Sequence, residues 1–95
     1  MADLKPELKN QIKAIIDGVL HQYDIETLDI KIAEDASGDE AIFVDVRYLL
    51  SQREFDPKQM SKVRSAVRSM LVDNNELRFP YIRHHLQDGQ KVKAA

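Results

Sequence analysis

Two adjacent histidines near the end of the chain, His84 and His85, are followed three residues later by Asp88. Imidazole and carboxylate groups are ligands that suit divalent transition metals such as zinc. Because neighbouring residues of a strand point to opposite faces, we do not expect both histidines to bind one ion within one chain. The sequence therefore predicts that one of them, together with Asp88, could bind a divalent metal across a dimer interface.

A second group of candidate residues lies in a stretch from position 58 to position 72 that contains no Asp or Glu. Outside its apolar stripe this stretch carries Lys, Arg and Ser, a composition that suits a phosphate backbone. The alternative is a solvated helix flank beside the acidic first half of the chain. The candidate anion- or RNA-binding residues are Lys58, Lys62, Arg64 and Arg68.

A third group combines aromatic rings with arginines at the spacing of a strand. If the segments around positions 43 and 81 are strands, these side chains point away from the helices, on what we call the open face of the sheet. Rings provide contact area and guanidinium groups provide forked hydrogen bonds, so such a face fits a homodimer interface or stacked bases. A face without a binding role is the remaining alternative. The residues are Phe43, Arg47, Phe79, Tyr81 and Arg83.

Catalytic signatures are missing from the sequence. We find no phosphate-binding loop, no dinucleotide-binding glycine pattern and no nucleophile elbow. The acidic segment 35–40 lacks the spacing of a calcium loop and is better explained as a turn. We therefore predict a protein that is not an enzyme.

Composition and charge narrow the class further. The chain has 95 residues and no cysteine, which predicts a single domain without disulfides or thiolate metal sites. We expect an ordered core over about 4–88 and a flexible tail over 89–95. Residues 1–46 carry a balance of −7 and residues 47–95 a balance of +5, so the two halves differ in sign. With no apolar signal-peptide core and no membrane-length apolar run, we expect a cytoplasmic protein that does not insert into membranes.

Hydrophobic periodicity predicts the first three elements. Apolar residues at spacings of three and four, from Leu8 to Tyr23, predict a helix that begins near Pro6. Gly18 interrupts this helix at a cost of about 1 kcal/mol relative to Ala, which suggests a packing reason. Alternation over 28–32 and again over 41–50 predicts two strands joined by a hairpin loop.

The second half of the chain predicts a helix and one further element. Asp56 and Pro57 form a helix start, and the segment 73–75, Asp-Asn-Asn, ends that helix. Segment 77–86 fits a strand or a short helix beginning at Pro80, and we favour the strand because two strands alone make a poor sheet. The predicted fold is an α+β two-layer α-β-β-α-β sandwich, with an antiparallel or mixed three-stranded sheet and the helices on one face.

One resemblance rests on residues 37–46, Ser-Gly-Asp-Glu-Ala-Ile-Phe-Val-Asp-Val, followed by a loop, a helix and a His-bearing last strand. This arrangement resembles the cytoplasmic C-terminal domain of cation diffusion facilitators, over most of the chain. The resemblance implies a dimer that binds transition metals near its interface. Histidines that the family often carries elsewhere correspond to Arg47 and Met60, which leaves His84 or His85 with Asp88. Our first hypothesis is therefore a non-catalytic, homodimeric interaction module that responds to a metal such as zinc.

The other resemblance rests on residues 67–71, Val-Arg-Ser-Met-Leu, on 77–80, Leu-Arg-Phe-Pro, and on Ile82. They are similar to the end of the second helix and the start of the last strand in ribosome-binding factor A, a KH-like family. The family's kink would fall at 63–65, which lacks its glycine, and the GXXG loop of KH domains is absent. The resemblance implies our alternative hypothesis, a module that binds RNA or the ribosome.

Overall fold

The computed structural model describes residues 4–21, 23–49 and 56–85. The predicted α-β-β-α-β order is confirmed. Segment 77–86, for which a short helix was the alternative, contains a strand. The expected tail at 89–95 lies outside the described residues. The elements are α1 (Pro6–Val19), β1 (Ile25–Glu34), β2 (Glu40–Tyr48), α2 (Pro57–Asp73) and β3 (Phe79–His85).

Helix α1 begins at Pro6, where a missing N–H costs no helical hydrogen bond. Its buried residues Leu8, Ile12 and Ile16 recur every four positions and therefore form one apolar stripe. The predicted packing reason for Gly18 is wrong, because a Cβ built there would meet no atom within 4 Å.

Strands β1 and β2 form a hairpin whose turn is specified by Asp35 and Gly38. The Asp35 side chain accepts hydrogen bonds from the backbone N–H groups of Ser37 (2.9 Å) and Asp39 (3.1 Å). Gly38 adopts a φ of 86°, in the left-handed region that glycine reaches without strain. Because Asp35 and Asp39 are hydrogen-bonded, the loop itself has three residues, 36–38. This loop fixes the register, so that Glu34 lies opposite Glu40 and Ile30 opposite Val44.

The sheet has the order β1-β2-β3, with β1 antiparallel and β3 parallel to β2. Helix α2 is the crossover that a parallel connection requires. The alternation predicted for β2 is confirmed, since Ile42, Val44, Val46 and Tyr48 are buried against the helices. Among the described residues, no helix is long and apolar enough to cross a membrane.

Both ends of α2 lie at the residues that the sequence indicated. The Asp56 carboxylate accepts a hydrogen bond from the Lys58 N–H at 2.9 Å. At the other end Asn75 adopts a φ of 62°, and the N–H of Glu76 bonds to the Leu71 carbonyl at 2.8 Å, closing a Schellman motif. Burial of Val63, Val67 and Leu71 then fixes the rotation of the helix over the sheet.

Candidate functional site

The open face of the sheet carries the predicted residues in register across β2 and β3. Phe43 lies opposite Tyr81, and Arg47 lies opposite His85. Strand β1 adds Lys31 next to Phe43 on this face. One end of the open face is therefore aromatic and the other end is charged.

Three rings form a cluster at the aromatic end. Phe43 and Tyr81 stack with their centroids 5.3 Å apart and their planes 16° apart. Phe79 meets Tyr81 edge to face at 4.8 Å. Phe79 and Tyr81 each keep 37% of their surface exposed, which is unusual for large rings and leaves them accessible to a partner.

Two guanidinium groups lie over these rings. Cζ of Arg83 is 4.6 Å from the centre of the Phe43 ring, and Cζ of Arg68 is 4.9 Å from the centre of the Phe79 ring. Both distances are within the range of cation–π attraction. Arg83 belongs to β3, whereas Arg68 belongs to α2, so the open face and the basic helix meet at this strand.

A groove of about 390 Å³ lies along β3 where the two surfaces meet. Arg64 of α2 lines it from one side, and Pro80 and Ile82 contribute backbone and apolar surface. We call the combined feature the Arg–aromatic surface. It consists of Phe43, Arg64, Arg68, Phe79, Tyr81 and Arg83.

The structure does not bring all four predicted basic residues of α2 together. At 100° per residue, Lys62 lies about 160° around the helix from Arg64, and Lys58 about 80° from Arg68. Lys58 and Lys62 are exposed, and neither lines the groove along β3. Two of the four predicted residues therefore belong to the Arg–aromatic surface and two lie outside it.

Asp45 is the residue of this site whose role the sequence analysis missed. It lies on the open face but is only 7% exposed. Both of its carboxylate oxygens accept from Arg83, at 2.8 and 2.9 Å, and Oδ1 is 2.8 Å from Nε2 of His85. The hydrogen bonds from Arg83 are the main reason that the pKa of Asp45 falls to about 2. An Asp between two valines in the middle of a strand was the available signal, since a buried carboxylate requires partners.

The remaining arginines differ in their pairing. Arg83 is committed to Asp45, and that bond raises the pKa of Arg83. In contrast, no carboxylate in the described part of the chain lies within ion-pair distance of Arg64 or Arg68. Both side chains are also exposed, so a ligand can reach them.

His84 and His85 lie on opposite faces of β3, as predicted. Nδ1 of His84 is 2.7 Å from the Tyr48 hydroxyl on the helix side, whereas His85 contacts Asp45 on the open face. Burial lowers the pKa of His84 and raises that of Tyr48, which favours two neutral groups that share one hydrogen bond.

The two histidines therefore do not share one site within one chain. Asp88 lies outside the described residues, and residues 4–21, 23–49 and 56–85 hold no group of three or more potential ligands. The zinc site shared across a dimer stays a prediction, which loss of zinc affinity in His84→Ala or His85→Ala would test.

An acidic cluster bounds the Arg–aromatic surface at the end nearest the hairpin. The Tyr81 hydroxyl donates to Asp35 at 3.2 Å, and Asp39 and Glu40 lie in the same pocket. Arg78 bridges Glu76 and Glu40 at 2.8 and 3.1 Å, which partly neutralises the cluster. An anionic ligand is therefore directed away from this end and toward Arg64 and Arg68.

Comparison of the chain with protein-family models, with curated proteins and with solved structures found no match. The geometry of the described residues is therefore the basis on which function can be argued. Both resemblances noted in the sequence imply the fold that is present, so the fold does not choose between them.

Proposed function

We propose that the chain is a non-catalytic module that binds single-stranded RNA on its Arg–aromatic surface. The observation that carries this proposal is the convergence of Arg64 and Arg68 from α2 with Phe79 and Tyr81 from β3. Exposed rings provide surfaces on which bases stack, and guanidinium groups provide charge and forked donors for phosphates. The KH-like hypothesis is thereby favoured over the metal-responsive one.

Charge argues against a homodimer on the Arg–aromatic surface. An isologous dimer there would bring Arg64 and Arg68 of both copies close together, and neither arginine forms an ion pair with a described residue. The mutual repulsion of these charges opposes such a dimer.

The availability of the arginines supports an anionic ligand. A ligand phosphate would gain Arg64 and Arg68 without displacing an existing ion pair, whereas Arg83 is already held by Asp45. The cation–π contacts hold Arg68 and Arg83 in place before binding, so little side-chain entropy is lost on binding. The net charge of −2 is a weak guide to the charge of the ligand, because the acidic first half and the basic second half of the chain nearly cancel.

The test is RNA binding by two double variants that remove equal charge from the same helix. The Arg64→Gln/Arg68→Gln variant removes two charges from the Arg–aromatic surface. The Lys58→Gln/Lys62→Gln variant removes two charges that lie outside this surface. Fluorescence anisotropy with a labelled 12-nucleotide single-stranded RNA measures both. Because two phosphate contacts are lost, we expect about tenfold weaker binding at 0.1 M salt for the arginine variant only.

Salt dependence gives a second readout of the same contacts. Two phosphate contacts, from Arg64 and Arg68, predict a slope of log K against log salt of about −1.4 on a single strand, and the arginine variant should reduce the magnitude of this slope. Equal losses in the arginine and lysine variants would show diffuse attraction to α2 and would contradict the proposal. Absence of RNA binding by the unmodified chain at low salt would do so as well.

A further inference from the structure

Strand β1 forms an edge of the sheet that no described strand covers. It pairs with β2 on one side only, and within the described residues no strand covers its other side. It is 10 residues long and contains no proline. A long free edge of this kind is a template for pairing with another strand, unless a bulge, a charge or a covering element prevents it.

The hairpin determines which backbone groups of β1 point outward. The N–H of Asp35 bonds to the Asp39 carbonyl at 2.8 Å. Because bonding alternates along an antiparallel pair, Ala33, Lys31 and Asp29 also bond to β2. The N–H and C=O groups of the intervening residues then point to the free edge. These outward-pointing residues are Leu28, Ile30, Ile32 and Glu34.

We propose that a second copy of this chain pairs with β1 in antiparallel fashion about a two-fold axis at Ile30. Outward-pointing residues then meet each other, with Ile30 opposite Ile30 of the second copy and Leu28 opposite Ile32. This pairing forms about six backbone hydrogen bonds. The result is a continuous six-stranded sheet with closed two-fold symmetry, which leaves both β3 edges free.

Charge selects this register from its neighbours. With the axis at Ile30, Asp29 of each copy lies opposite Lys31 of the other, and opposite charges in such cross-strand pairs are stabilising. A shift of two residues in one direction places Lys31 opposite itself. A shift in the other direction places Asp29 opposite itself. Only the register at Ile30 gives two attractive pairs.

Apolar side chains favour the same pairing. Leu28, Ile30 and Ile32 face the helices but are only partly buried, because β1 lies at the margin of the core. In the dimer each would gain an apolar neighbour across the axis. Glu26 and Glu34 meet only at the solvated ends, where the bulge between Ile25 and Thr27 interrupts the ladder and repulsion is weak.

Charge reversal at the two paired positions tests the interface. We expect Asp29→Lys and Lys31→Asp each to raise the dimer dissociation constant at least tenfold, because each creates two like-charge pairs per dimer. An equimolar mixture of the two variants restores both attractive pairs. Native mass spectrometry of the mixture should therefore show heterodimers well beyond the twofold excess over either homodimer that random pairing gives, and their recovery also shows that both variants are folded.

Control variants separate this interface from the open face. Ile30→Pro removes the outward N–H at the two-fold axis and should therefore produce a monomer. The monomer should remain folded, because the edge strand β3 already accommodates a proline at Pro80. Tyr81→Glu should leave the dimer intact. The proposal is overturned if the unmodified chain is monomeric at several hundred micromolar. It is also overturned if the mixture shows no heterodimers beyond random pairing, or if Tyr81→Glu produces a monomer. RNA binding by the Asp29→Lys chain is measured separately, so this inference and the RNA proposal can fail independently.

Discussion

The two edges of the sheet are built differently. In the parallel β2–β3 pair, backbone bonding alternates along β3, and the backbone groups of Tyr81 and Arg83 bond to β2. Pro80 therefore occupies a position at which the backbone N–H of any other residue would point outward. Proline lacks that donor, and is found on edge strands for this reason. Edge β3 therefore offers an incomplete set of donors, whereas β1 offers a complete one.

The surroundings of the edges increase this difference. Arg64 and Arg68 of α2 flank β3 and would repel a second β3 brought beside it. Beside β1, Asp29 and Lys31 alternate in sign, which permits self-pairing. The comparison indicates that β3 is protected from strand pairing yet open to an anionic ligand, while β1 suits a second copy of the chain.

Side chains also fasten the two edge strands to β2 unequally. On the open face Asp45 binds Arg83 and His85, and on the helix side Tyr48 contacts His84. Across the β1–β2 pair the corresponding neighbour of Asp45 is Asp29, a like charge. Strand β3, which α2 separates from β2 in sequence, thus depends on side-chain bonds more than β1 does.

The largest effect on stability is expected from Asp45→Asn. Since the pKa of Asp45 is lowered from 3.8 to about 2, its ionised form stabilises the fold above about pH 4, and this contribution is lost as pH falls toward 2. Allowing for the exposed side of Arg83, the loss at pH 7 is about 1–2 kcal/mol. Urea unfolding at pH 7 and pH 3 measures it, with the exposed Asp17→Asn as control.

Hydrogen exchange shows which strand the Asp45 change affects. We expect the amides of β3 to lose protection in Asp45→Asn while the amides of β1 keep theirs. Equal loss in both strands would mean that Asp45 stabilises the whole sheet, and would remove the distinction between the two edges.

A smaller effect is expected from His84 at mildly acidic pH. Burial lowers the pKa of His84 in the folded chain, so the stabilisation is complete above about pH 6.5 and declines as pH falls below it. Thermal unfolding should show a Tm several degrees lower at pH 5 than at pH 7. A His84→Gln chain with the same pH dependence would assign the effect to another group.

The smallest effect is expected from Gly18→Ala, which serves to separate stability from binding. Because nothing surrounds a Cβ at this position, the substitution should stabilise α1 by about 0.5–1 kcal/mol. Dimer and RNA affinities should not change, since Gly18 lies on neither edge. Urea unfolding at pH 7 checks the gain, and a loss of stability would show that α1 requires glycine here.

The sequence predicted those parts of the fold that local pattern determines. Alternation assigned Ile42 and Val44 to the core face and Phe43 to the open face, because the period of a strand is two. Asp56, Pro57 and Asn75 marked the limits of α2, because they satisfy or terminate its backbone bonds locally.

What the sequence left undetermined depends on contacts between distant segments. Helical periodicity alone separates Lys62 from Arg64, but only the packing of α2 against β3 brings Arg64 and Arg68 beside the aromatic rings. The role of Asp45 depends on its register with Arg83, which is 38 positions away. The outward direction of the Pro80 nitrogen likewise follows from parallel pairing, which the sequence analysis left open between an antiparallel and a mixed sheet.

The most direct test of separate roles for the two edges is native mass spectrometry of the unmodified chain with a 12-nucleotide single-stranded RNA. If β1 binds a second copy and β3 binds RNA, the two partners occupy opposite edges of the sheet, and dimers should carry one and then two RNA molecules without dissociating. RNA bound only to monomers, or RNA that converts dimers into monomers, would place both partners on one surface and contradict the account.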